Sequence, residues 1–147
     1  DECGFDVAFN YKTGSNLKHL EEAAPEGIDV YFDNVGGEAL EAALSTLKVR
    51  GRIAACGAIS LYNSEKPQPG PSNLFLVVVK RLTMRGFIVS DWLDKLGDFQ
   101  REAGEMFMAG KLKHKETVAE GIENAVDAFL GLFKGTNIGK MVVKLGG

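Results

Sequence analysis

Ile28-Asp29-Val30-Tyr31-Phe32-Asp33-Asn34-Val35-Gly36-Gly37 is the stretch on which the fold turns. Residues 28–32 are nearly all apolar and read as a strand covered on both faces, the habit of parallel sheets. The chain then becomes polar and flexible, and Glu38 opens a helix carrying Leu40, Ala43, Leu44 and Leu47 at i, i+3, i+4 and i+7. Lys48 and Arg50 are expected in its last turn, where cations suit the dipole, with Gly51 as the stop. A second strand, residues 52–56, ends in the same manner, in Cys56-Gly57-Ala58-Ile59-Ser60-Leu61-Tyr62-Asn63. Two such strand ends separated by one helix matter for function, because open α/β sheets bind ligands at the carboxyl ends of their strands.

Outward from this unit, short strand-like runs alternate with helix-period segments, the signature of a mostly parallel sheet covered by helices. Residues 5–11 read as a short strand run bounded by Gly4 and Gly14. Ser15 can cap a helix with Leu17, Leu20 and Ala24 on one face, ending near Pro25-Glu26-Gly27. Pro67, Pro69 and Pro71 make residues 63–72 an irregular, exposed loop. Residues 74–80 admit two readings: the valines favour a strand, and Ser72 as a cap favours a short helix. Residues 82–89 read as a strand. Beyond them come an amphipathic helix over 94–109, a short strand over 115–119, a helix over 123–134 with Gly135 behind it, and a closing strand over 139–145.

The 147 residues have the size of one domain, and 45% hydrophobic with 25% charged residues is ordinary for a soluble globular protein. A net charge of -3 gives no electrostatic reason to expect nucleic acid or an anionic membrane. The longest apolar run, residues 74–79, falls far short of the ~20 residues that span a bilayer. Residues 1–15 lack the basic start and apolar core of a signal peptide. Two distant cysteines, Cys3 and Cys56, argue against a disulfide framework and for a reducing cytoplasm. His19 and His114 have no ligand partners nearby in the sequence, so no zinc site is expected.

Crossover connections make strands 28–32, 52–56 and 82–89 parallel, with their carboxyl ends on one edge. That edge gathers Asn34, Gly36 and Gly37, then Cys56 to Tyr62, then Phe87, Ile88 and Val89. Glycines let the backbone approach a ligand, Asn34 offers one acceptor and two donors, and Tyr62 can donate to a carbonyl. Such an edge suits a planar cofactor.

Phe9-Asn10-Tyr11-Lys12-Thr13, Tyr31-Phe32-Asp33-Asn34-Val35-Gly36-Gly37, Cys56 to Asn63 and Lys134-Gly135-Thr136-Asn137-Ile138-Gly139-Lys140 follow one another along the chain. In these segments it resembles the zinc-independent medium-chain dehydrogenase/reductases. The nearest resemblance is to the branch of prostaglandin and leukotriene reductases, alkenal double-bond reductases and curcumin reductases. The resemblance implies an incomplete Rossmann-type doubly wound parallel sheet, its later strands only, within residues 1–91. It implies that residues 92–147 are a helix-strand-helix-strand segment returning to the catalytic domain of a longer enzyme. The glycine-rich phosphate turn and the residue selecting the 2′-phosphate are then expected upstream of Asp1. The implied cofactor is NADP(H), the substrate a small α,β-unsaturated ketone or aldehyde, and the assembly a cytoplasmic homodimer.

By the same resemblance Tyr11 flanks the adenosine end of the cofactor, and Asn34 contacts the nicotinamide or its ribose. Cys56, Gly57, Ala58, Ile59, Ser60 and Tyr62 wrap the nicotinamide half, Phe87, Ile88 and Val89 wall its face, and Asn137 reaches back to it. Each position has a plainer reading. Tyr11 can pack on the sheet, Asn34 and Asn137 can be turn residues, Cys56 a small buried residue, and 87–89 core strand. Tyr62 is the catalytic candidate. The resemblance implies hydride transfer to the β-carbon of the enone while charge develops on its carbonyl oxygen. A positioned hydroxyl stabilises that oxygen by ~2.7–4 kcal/mol. The alternatives are a loop tyrosine bonded to backbone, a quinone reductase of the same superfamily, and a fragment inactive on its own. In the family's strand order, 3-2-1-4-5-6, residues 5–11 lack neighbours two and one, and strand 28–32 keeps an open apolar edge. Residues 1–147 alone are therefore expected to bind NADPH weakly and to self-associate.

Overall fold

A computed structural model describes residues 3–146, which fall into two compact units. The first is Val7–Asp94. Ser15 caps α1 (Asn16–Ala23), its Oγ accepting the Lys18 amide at 3.5 Å. There follow β1 (Ile28–Asp33), α2 (Gly37–Thr46), β2 (Leu47–Ala55), α3 (Leu76–Val79) and β3 (Thr83–Gly86). The strands pair in the order β1-β2-β3, all parallel, as crossover connections require. Asp33 stands opposite Ala55, and Ala55 opposite Gly86, so the three carboxyl ends finish level.

The core is the apolar face of α2 closed onto the sheet. Leu40 and Leu44 meet Leu47, Ile53 and Leu82, with Ile28, Tyr31, Leu76 and Val77 packed around them. Each fully buried Leu or Ile contributes ~1.5–3 kcal/mol.

Three expectations change and one open reading is resolved. The helix after Glu38 ends at Thr46, and Leu47 lies in β2 opposite Ile28. Lys48 and Arg50 are therefore strand residues and not the last helical turn. The register skips between Ile28 and Val30, and Arg50 takes a left-handed φ of 68° while its amide donates to the Lys80 carbonyl at 2.7 Å. Leu47 is buried from either element, so spacing alone assigned it to the helix. Lys80 closes that helix from a distance: its Nζ donates to the carbonyls of Leu44 (3.1 Å), Ser45 (2.6 Å) and Leu47 (2.7 Å). Partial burial lowers the pKa of Lys80 from the ordinary lysine value.

Residues 5–11 form no strand. Residues 10–13 form a turn instead, and the Phe9 ring stacks on His19 of α1 at 4.9 Å. The valine run of 74–80 resolves into one helical turn, α3. It follows Asn73, whose Nδ2 donates to Glu41 O (2.7 Å) and Ser45 Oγ (2.8 Å) on α2. Strand β3 is shorter than residues 82–89. The Phe87 amide still donates to Ala55 O at 3.1 Å, but a kinked 3-10 segment begins at Val89.

The second unit comprises residues 3–6 and 95–146. It contains α4 (Leu96–Met108), β4 (Glu116–Glu120), α5 (Ala125–Lys134) and β5 (Lys140–Lys144). Strands β4 and β5 pair in parallel, Glu116 opposite Lys140. Gly135 ends α5 with a φ of 63°, the left-handed cap that glycine takes without a steric penalty. Among the described residues no helix is long and apolar enough to cross a membrane.

Candidate functional site

The site begins with a buried carboxylate at the end of β1. Asp33 is 2% exposed, and its Oδ1 accepts the amides of Val35 and Gly36 at 2.9 Å each and the Tyr31 hydroxyl at 3.1 Å. This is an Asx-type turn, a short acceptor side chain organising the amides that follow it. It delivers Gly36, with φ 69°, to the start of α2. A Cβ on Gly36 would stand 3.0 Å from the Ala58 Cβ, so glycine lets the two strand-end loops touch. Burial, then the charge of Asp33, then the bond to it, pushes the Tyr31 phenol well above its ordinary range.

The loop after β2 is laced onto this turn. Cys56 and Gly57 donate their amides to Asp33 O (2.8 and 3.0 Å), Ile59 to Asn34 O (3.0 Å) and Ser60 to Val35 O (3.2 Å). The Ser60 hydroxyl adds a 2.6 Å bond to the same Val35 carbonyl. A single 3-10 turn, Ile59–Leu61, then presents Tyr62, which is 68% exposed. The Ala58 amide donates to the Tyr62 hydroxyl oxygen at 3.3 Å. That bond uses the oxygen as acceptor and leaves the hydroxyl proton available for another acceptor. A Cβ on Gly57 would lie 3.1 Å from the same oxygen, so the phenol folds back close over glycine backbone.

Between the two loops opens a cleft of about 430 Å³. Asp33, Gly36, Gly37 and Leu40 form one side, Ala55, Cys56, Gly57, Ala58, Leu61 and Tyr62 the other, with Met84 and residues 68–71 completing it. A neighbouring cleft of about 480 Å³ shares Gly37, Leu61 and residues 68–71 and adds Glu38, Glu41, Ser60 and Ser64. The proline-containing loop is thus a common wall. Its end is fastened to α2 by Ser72 Oγ donating to Glu41 Oε1 at 2.5 Å and by the Asn73 bonds.

The structure brings Cys56, Gly57, Ala58 and Tyr62 together on one cleft and sets Ser60 on the adjoining one. Asn34 is exposed and takes part through its carbonyl. Ile59, Phe87, Ile88 and Val89 line neither cleft; the Phe87 ring sits edge-on to Phe32 at 5.7 Å, and Ile88 and Val89 are exposed. Tyr11 stands exposed just before α1, with the Lys12 ammonium 5.7 Å from its ring centroid. Asn137 belongs to the other unit, where its Nδ2 donates to Gly139 O at 2.7 Å.

The plainer reading of Cys56 as buried is corrected. The thiol residue is exposed, because it lies one position beyond the last β1-β2 pair, where the sheet no longer covers it. Sequence reasoning missed Asp33 and Met84. An aspartate at a strand end, with glycine three positions on, was a usable signal for Asp33. Met84 carried none, because its place depends on the register that sets it opposite Ile53. Among the described residues no group of three or more His, Cys, Asp or Glu is placed to hold a metal ion.

Known proteins resemble this chain over nearly its whole length. Prostaglandin reductase 1 of Bos taurus is 49% identical over 144 residues, 96% of this chain and 44% of that protein. The NADP(+)-dependent 2-alkenal reductase of Nicotiana tabacum is 47% identical over 141 residues, 95% of this chain and 41% of that protein. The crystal structure of CurA in complex with NADPH from Vibrio vulnificus superposes with a TM-score of 0.87 at 36% identity, covering 98% of this chain and 44% of that one. The chain therefore spans less than half the length of these relatives. The pattern that defines the zinc-binding dehydrogenases matches residues 1–107, both strand-end loops included, and the chain belongs to that family.

Proposed function

We propose that this chain forms the nicotinamide side of a zinc-independent, NADP(H)-dependent reductase acting on the C=C bond of α,β-unsaturated ketones or aldehydes. The relatives named prostaglandin reductase and 2-alkenal reductase, at 49% and 47% identity, support this substrate class, and the NADPH-bound relative supports the cofactor. The cleft fits a nicotinamide. Its floor is glycine and alanine, and a Cβ at Gly36 or Gly57 would intrude to about 3 Å of the facing loop atoms. Cys56, Gly57, Ala58 and Ser60, which line the two adjoining clefts, hold the nicotinamide half in this reading, and Asn34 braces their loop through its carbonyl. Tyr11 serves the remainder of the cofactor. When bound, the cofactor supplies a hydride to the β-carbon of the substrate.

The observation that carries the reading is the state of the Tyr62 hydroxyl. Its oxygen accepts from Ala58 N, which polarises the O–H bond, and its proton remains to be donated to the substrate carbonyl oxygen. Charge that builds on that oxygen is stabilised by a fixed donor, so no metal is required for the step. A boundary near residue 91 between the nucleotide-binding part and a following segment is supported by the compact unit Val7–Asp94. Free thiols at Cys3 and Cys56 support a reducing cytoplasm.

Tyr62→Phe in the complete natural chain tests the assignment. Removing one donor to a developing oxyanion lowers kcat by ~10²–10³-fold. The expected result is such a loss on a simple enone with the Kd for NADPH unchanged. Undiminished turnover would remove Tyr62 from the chemistry, and turnover of quinones without enones would replace the substrate class.

A further inference from the structure

Asp33 touches neither a proposed substrate atom nor a proposed cofactor atom through its own bonds, yet it is among the most buried polar residues of the first unit. A buried carboxylate oxygen taking three donors is a costly arrangement unless those donors need holding. The donors are the amides of Val35 and Gly36 and the hydroxyl of Tyr31, all on Oδ1. The turn they define presents its carbonyls to the neighbouring loop. Val35 O receives both the amide and the hydroxyl of Ser60, and Asn34 O receives the Ile59 amide. The backbone carbonyl of Asp33 itself receives Cys56 and Gly57. The segment so fixed, residues 56–60, contains Ala58, whose amide holds the Tyr62 hydroxyl.

We propose that Asp33 is a positioning residue for Tyr62: its carboxylate sets the turn at residues 34–36, and the carbonyls of that turn set the loop that aims the phenol. The inference rests on the catalytic reading of Tyr62 and adds the device that places it. Ser60 is the midpoint of the relay, because its two bonds to one carbonyl couple the turn to the 3-10 segment. A carboxylate is suited to this task, since one oxygen can accept several amides without giving up a proton.

A double-mutant cycle on the complete natural chain with NADPH and an enone tests it. Asp33→Ala is expected to lower kcat by about 10–100-fold, the scale of a small misplacement of a catalytic group, with little change in the KM for NADPH. In a Tyr62→Phe background the same change should cost almost nothing further, because residues acting as one unit are non-additive. Asp33→Asn keeps an acceptor oxygen in place and should restore most of kcat. Ser60→Ala breaks the relay at its other end and should show the same non-additivity, which keeps the test open if Asp33→Ala does not fold. Full multiplication of the Asp33 or Ser60 effect with that of Tyr62 would overturn the proposal. If Tyr62→Phe alone is without effect, the functional reading fails first, a result distinct from additivity.

Discussion

Tyr31 keeps its proton for reasons visible at the scale of one side chain: its ring is half-buried, and its hydroxyl donates to a carboxylate that would repel a phenolate. Unfolded, such a phenol ionises near pH ~10; folded, it does so only at higher pH. Below that point both states hold the proton, and above it the native state holds more, so folding stability falls as pH rises past ~10. Tyr31→Phe lacks both the bond and this linkage. It is expected to lose about 1.5 kcal/mol at neutral pH. Its deficit relative to the wild type should shrink in urea titrations carried above pH ~10. A deficit constant with pH would show that Tyr31 is not linked to folding in this way. Tyr62 and the glycines of the cleft could be picked out from residue type alone, because a phenol and a missing Cβ have chemical meanings independent of context. Asp33 could not be ranked so, since its importance comes from which amides reach it. Cys56 shows the opposite failure: an apolar-leaning residue type set just past the sheet is exposed.

At the scale of elements, the end of α2 shows how far pattern reaches. Apolar spacing located the helix and its buried face, and Leu40 and Leu44 fill the core as that spacing predicts. The same reading carried the helix four residues too far, to Arg50, because Leu47 satisfies the spacing from the next strand. What stops the helix is Lys80, 33 to 36 positions away, capping three carbonyls. Lys80→Met keeps the apolar stem and removes the donors. Stability should fall by about 1–3 kcal/mol, the cost of leaving such groups unpaired, with a matching drop in Tm. An unchanged Tm would assign the cap no role. The segment 74–80 is a related case. Its valines are compatible with a strand, but Asn73 bonded to two groups of α2 fixes the turn that starts α3.

On the scale of the whole molecule, β1 ends the β1-β2-β3 sheet, and Val30 and Phe32 on it are 50% and 55% exposed. An uncovered strand edge with apolar side chains is a template for pairing with another chain. Residues 1–147 prepared alone should therefore sediment with a concentration-dependent increase in mass. Val30→Lys, a charge on the edge, should return them toward the monomer. A monomer at all concentrations before the substitution would count against the edge as the cause. The amino-acid sequence by itself determined the alternation of strands and helices, the parallel pairing and the two polar strand ends, because these follow from local periodicity and the reach of short connections. The resemblance of its motifs to a reductase family was legible there as well. Only the tertiary structure decided that Arg50 turns left-handed where the register skips, and that Asp33 stands behind the loop carrying Tyr62. Each of these depends on a partner far away along the chain, and hydrogen bonds and burial are defined by partners.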